Sequence, residues 1–130
     1  MAFKLGGESR QMRSSSNTPI FSKKLEDGVV AEANMDGSIF VSEDVDPNSL
    51  EYKIAIVHEE VHLEQMQPSP EWPDGRAAYG DNWVTWEGKT YFRKNGYIDG
   101  PNGRWEEGDE NHPWEQEAIA AEQEALRKGI

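Results

Sequence analysis

The chain has no cysteine, so it can build neither a disulfide framework nor a thiolate metal site. Basic residues are few: 13 Lys and Arg stand against 25 Asp and Glu, for a net charge of −12 at pH 7. Nucleic acids and anionic membrane surfaces are held by basic patches, so neither is expected as a partner. No apolar run approaches the length needed to span a membrane, and the first residues carry no signal-peptide hydrophobic region, which predicts a cytoplasmic protein. Histidine is scarce too, at 3 residues, so any metal site must draw on those few imidazoles and on carboxylates. A length of 130 residues suits one compact domain with a modest core.

Two of the three histidines fall in Val57-His58-Glu59-Glu60-Val61-His62-Leu63-Glu64-Gln65-Met66-Gln67, which contains the pattern H-E-x-x-H. On an α-helix, residues four apart stack on one face, so His58 and His62 can grip one metal ion. Glu59 then points beside the metal, where a carboxylate can take a proton from water. With three histidines in the chain, this spacing around a glutamate arises by chance in roughly a few cases per thousand. The competing interpretation is an acidic amphipathic helix with two incidental histidines. A helix over about 47–66 is predicted, with Asp46 as N-cap, Pro47 in the first position and Pro68 and Pro70 ending the run. At 100° per residue Leu50, Ile54, Val57 and Val61 form the main apolar stripe, and Ile56 and Leu63 a second. His58 and His62 lie at the edge of the main stripe, beside Ala55 and Met66.

Before this helix, residues 1–18 read as a flexible polar arm, leaving 19–130 as the folded domain. Two strand-like runs, 28–33 and 38–41, flank Asn34-Met35-Asp36-Gly37, a hairpin-turn signal. After the helix, Val84 to Trp86 and Thr90 to Arg93 around Glu87-Gly88-Lys89 predict a second hairpin, and Asp99-Gly100-Pro101-Asn102-Gly103 a loop. The tryptophans of this middle region read as core, with a sugar-binding platform as the alternative. A last helix is predicted from Pro113 to about Lys128. The fold class that follows is α+β: two helices packed with a small, mostly antiparallel sheet and hairpin.

Two histidines leave a zinc ion short of ligands. On the last helix Trp114, Ala118, Ala121 and Ala125 mark the buried stripe, and Glu115 and Glu122 fall inside its apolar arc, whereas Glu117 and Glu124 fall on the solvated side. A carboxylate facing a core needs a partner, because burying it unpaired is costly. Glu115 is therefore predicted as the third ligand and Glu122 as the group that orients a ligand histidine through its other ring nitrogen.

H-E-x-x-H on one helix followed by E-x-x-A on a later one, here His58-Glu59-Glu60-Val61-His62 and Glu115-Gln116-Glu117-Ala118, resembles the gluzincin zinc metallopeptidases. It is also similar to very small H-E-x-x-H proteins found among phage-encoded sequences. The match covers two helices, well under half of the chain. The resemblance implies a minimal zincin-like fold, with Zn²⁺ on His58, His62 and Glu115 and Glu59 as general base. It implies hydrolysis of peptide bonds in a peptide or protein substrate, and an edge strand above the motif helix for which the strand at 38–42 is the candidate. A phage-encoded protein would work in host cytoplasm or in the virion. Many gluzincins carry Asp or Asn where Ile119 stands, so the histidine-orienting role passes to Glu122. Candidate oxyanion donors are His112, next to the ligand helix, and Tyr79, Tyr91 and Tyr97. A metzincin is set aside, since no glycine and third histidine follow His62 closely. Other functions compatible with these residues are an inactive zincin-fold protein serving assembly or binding, a peptidoglycan-directed amidase or endopeptidase, and a glycan-binding module. A small cleft would favour a protein partner or a tethered substrate.

Overall fold

The structure, a computed structural model, describes residues 18–101 and 103–130. The arm expected at 1–18 thus lies outside the described residues except for Thr18, which is buried. The class is α+β as expected. Three strands, β1 (Ile20–Lys23), β2 (Ala31–Ala33) and β3 (Ile39–Ser42), precede helix α1 (Leu50–Met66). Five more follow it, β4 (Ala77–Tyr79), β5 (Trp83–Trp86), β6 (Lys89–Lys94), β7 (Tyr97–Gly100) and β8 (Gly103–Glu106), before helix α2 (Pro113–Arg127) closes the chain.

The first sheet has the order β1-β3-β2, with β1 parallel and β2 antiparallel to β3. The expected hairpin is present. Gly37, at φ +88, donates its N–H to the Asn34 carbonyl at 2.9 Å, and the Asp36 carboxylate accepts the backbone N–H of Ser38 at 3.0 Å. β3 is the central strand, however, not the edge. The edge strand lying against α1 is β2, whose Ala31 belongs to the same core cluster as Ala55 and whose Ala33 belongs to the same cluster as Met66. The difference comes from β1, a short strand with no alternation to betray it, which pairs along the far side of β3.

The second sheet is an antiparallel meander, β4 through β8. Two of its hairpins, β5–β6 and β6–β7, turn on Glu87-Gly88 and Asn95-Gly96, all four residues at positive φ, the geometry that matches strand twist in a two-residue turn. Asp99, Gly100 and Gly103, expected in a loop, are strand residues, with Gly100 paired to Gly103. Glycine is required at 100 for another reason: a Cβ there would come within 1.9 Å of the Tyr91 ring. One sheet face carries Val84, Trp86, Tyr91 and Ile98 into the core around Trp114, and the other exposes Trp83, Phe92 and Tyr97. The tryptophans divide accordingly, with Trp86 and Trp114 in the core and Trp83 on the surface.

Helix α1 starts later than predicted. Ser49, not Asp46, is the N-cap, its Oγ accepting the Tyr52 N–H at 3.1 Å. Asp46 instead holds the turn before the helix, accepting from the Asn48 N–H at 2.9 Å and thus drawing Pro47 into that turn. The end comes as expected at Gln67, whose extended backbone is what a following proline imposes. The buried face of α1 is also not the aliphatic stripe. Leu50 is 51 % exposed and Ile54, Val57 and Val61 are half-buried, while Ala55, His58, Glu59, His62, Gln65 and Met66 are buried. The chain turns its polar motif inward and leaves the aliphatic stripe at the rim. Among the described residues no helix is long and apolar enough to cross a membrane.

Candidate metal centre

Helices α1 and α2 pack against one another in opposite directions, since His58 meets Glu122 while Gln65 meets Trp114. What seats α2 is aromatic. Trp114 is fully buried, stacked on His112 at 4.7 Å, edge-on to Tyr91 at 5.1 Å and tilted against Trp86 at 6.1 Å. Pro113 opens the helix in a position where no N–H is needed, and Glu115 follows within the first turn. The anchored Trp114 thereby aims Glu115 at the motif helix.

There, His58 Nε2 lies 2.7 Å and His62 Nε2 3.1 Å from Glu115 Oε1. All three residues are buried, and they form a group whose ligand atoms lie within 4.8 Å of one another. Each histidine is also gripped at its other nitrogen. His58 Nδ1–H donates to Glu122, and His62 Nδ1–H donates to the Gln65 amide oxygen at 2.9 Å. With Nδ1 carrying the proton in both rings, both Nε2 atoms are left to face Glu115 and, through it, a cation.

Electrostatics agree with this geometry. Burial disfavours the charged form of all three groups, but their mutual bonds prevail: the histidines are raised above their ordinary value and Glu115 is pulled down to about 2. In the metal-free protein both Nε2 atoms thus face one carboxylate oxygen, and a divalent cation could sit among these three atoms without disturbing either Nδ1 contact. Glu115 Oε2, buried and with no hydrogen-bond partner among the described residues, is a further ligand atom in reserve. Two imidazole nitrogens and a carboxylate, with no sulfur, form a donor set that suits zinc.

Glu59 is wholly buried, and neither carboxylate oxygen has a hydrogen-bond partner among the described residues. Burial pushes its carboxyl up to about 8, with the Glu115 charge adding to the rise and His62 opposing it. A dication held by its neighbours would draw it back towards the ionised form.

Of the residues singled out from the sequence, His58, His62, Glu115 and Glu122 are brought together, with Glu59 beside them on α1. The proposed oxyanion donors are not. His112 is the N-cap of α2, its Nε2–H bonded to the Glu106 carbonyl at 3.0 Å and its ring held between Trp105 and Trp114. Tyr79 and Tyr91 are core residues of the meander, and Tyr97 lies on its outer face with the Arg104 guanidinium 4.4 Å from its ring centre. Sequence reasoning missed Gln65, although at 100° per residue it falls within about 60° of both histidines. Glu117, assigned to the solvated side, is engaged too: it accepts from Gln65 Nε2 at 3.1 Å and from both terminal nitrogens of Arg76.

Comparison with known protein families, with curated proteins and with solved structures finds no match for this chain. Function must therefore be argued from the chemistry of the site.

Proposed function

We propose that this chain is a small zinc-dependent hydrolase of the gluzincin kind, acting on peptide bonds. The observation that carries this is the convergence of His58 and His62 Nε2 on Glu115 Oε1, from two helices, with Glu59 the next residue along the motif. Zinc, when bound by these three side chains, supplies Lewis acidity that makes a water acidic near neutral pH and polarises a carbonyl. The chain's own residues do the rest. Glu59 takes the proton from the attacking water and returns it to the departing amine. Glu122 and Gln65 hold the two imidazoles so that each presents Nε2. The strand at 38–42 is not open to substrate, because β3 is paired on both sides.

A specific observation favours a second function, a metal-holding scaffold for assembly or binding: Glu59 is sealed from solvent, as a structural glutamate would be and a working base need not be. The two are separated by one experiment. Protein purified without added metal is assayed for zinc, and wild type and Glu59→Gln are then incubated with a mixed peptide library read by mass spectrometry. About one zinc per chain with cleavage lost in Glu59→Gln supports the hydrolase. Zinc without cleavage in either protein supports the scaffold, and no zinc after supplementation overturns both.

A further inference from the structure

Behind His62, a line of contacts leads from the cluster to the second sheet. Gln65 is 1 % exposed and every polar atom of its side chain is engaged: Oε1 accepts from His62, and Nε2 donates to the Trp114 carbonyl at 3.0 Å and to Glu117 at 3.1 Å. Glu117 is clamped in turn by Arg76, whose guanidinium also bonds Glu87 at 2.8 and 3.1 Å and lies 4.7 Å from the centre of the Trp86 ring. Arg76 stands just before β4, and Glu87 in the β5–β6 turn.

This arrangement leaves the Gln65 amide one orientation. Rotating it by half a turn would set its oxygen against the Trp114 carbonyl and the Glu117 carboxylate, two acceptors facing a third. The amide oxygen is therefore fixed towards His62, and a carbonyl oxygen can only accept. His62 must carry its proton on Nδ1. We propose that Gln65 is the positioning residue of His62, setting its tautomer and ring orientation, and that Arg76 enforces this from the second sheet through Glu117. The two ligand histidines are then held by different chemistry, a carboxylate on His58 and a neutral amide on His62. That limits the negative charge in a cluster that already contains Glu59, Glu115 and Glu122. The consequence for metal binding rests on the proposed zinc site, whereas the tautomer does not.

The test uses the full chain, metal-free and zinc-loaded, as wild type, Gln65→Met and Arg76→Met. Methionine keeps the volume of Gln65 and removes its hydrogen bonds; Arg76 is partly exposed, so its replacement leaves the core intact. In metal-free, ¹⁵N-histidine-labelled wild type, His62 should show a slowly exchanging Nδ1–H with a contact to the Gln65 side chain. Gln65→Met should lose that protection, and zinc affinity, read by competition with a chromophoric chelator, should fall about 10–100-fold. Arg76→Met should weaken zinc severalfold and restore rotation of the Gln65 amide. Should Gln65→Met fail to fold, Arg76→Met alone decides by the same two readouts. Unchanged Nδ1–H protection and zinc affinity in the folded variants would overturn the proposal. If wild type takes up no zinc yet Nδ1–H protection is lost in the variants, the positioning role stands and the metal site falls.

Discussion

His58 and Glu115 face each other at 2.7 Å across a separation of 57 residues in sequence, and both are buried. Such a pair is costly to enclose unless each charge is compensated, and here the compensation is shared with His62. Removing Glu115 would leave two histidines with no common partner. Glu115→Ala is therefore expected to abolish stoichiometric zinc binding, while Glu124→Ala, on the exposed side of the same helix, keeps it. Metal analysis of protein purified without added zinc reads the difference.

The contact between His58 and Glu122 lies one layer out, and the glutamate is only partly enclosed. Glu122→Gln keeps an acceptor but removes the charge. Zinc affinity should drop about 10–100-fold, the usual effect of losing a partner that orients a ligand, with little change in the fold. Titration against a chelator of known affinity measures it.

Glu59 makes the metal-free protein sensitive to alkali. Its carboxyl, raised by burial to about 8 from an ordinary 4.5, keeps its proton in the fold at pH values where the unfolded chain has lost it. The folded state binds more protons across that window, so stability falls as pH rises through it. The histidines act with the same sign: burial works against their charge, the Glu115 bonds prevail, and the stability they contribute below 6.5 is lost as pH rises through their raised folded values. Glu115, held at about 2, contributes above 4.5 and loses its contribution as pH falls towards 2. Thermal unfolding of the metal-free protein should show its highest Tm near pH 4.5, falling above it and more steeply beyond 6.5. Saturating zinc should reverse the alkaline slope, because binding releases the ligand protons.

Glu59→Gln follows from the same burial. The amide needs no proton to be neutral, so the Tm of the metal-free variant should vary less with pH between 4.5 and 8 than that of wild type. Zinc content should remain near one per chain while peptide cleavage disappears. A cleaving Glu59→Gln protein would remove Glu59 from the reaction.

Trp114 carries the largest packing prediction. It is fully buried against Tyr91, Trp86 and His112, and it sets the position of the next residue, Glu115. Trp114→Ala should destabilise the protein by about 3–5 kcal/mol, measured by urea unfolding. Zinc affinity should weaken alongside, since α2, which carries Glu115, loses its seat.

Much of the site was legible in the residues themselves. The spacing of His58, Glu59 and His62 needs only a helix to put both imidazoles on one face, and helical geometry is local. Glu115 and Glu122 could be chosen over Glu117 and Glu124 because burying a carboxylate among Trp114 and Ala118 demands a partner. The turns at Asp36-Gly37 and Glu87-Gly88 were legible too, for backbone conformation at glycine is decided within a few residues. What only the tertiary structure decided is everything that depends on who lies alongside. β3 became a central strand because β1 pairs along its far side, and the aliphatic stripe of α1 stays half exposed because β2 and α2 cover the motif face instead. His112 packs among tryptophans, and Gln65 and Arg76, from separate segments, meet on Glu117. Non-local pairing of this kind leaves no period in a sequence, since contacts between distant segments are selected by the shape of the whole core and not by the order of neighbouring residues.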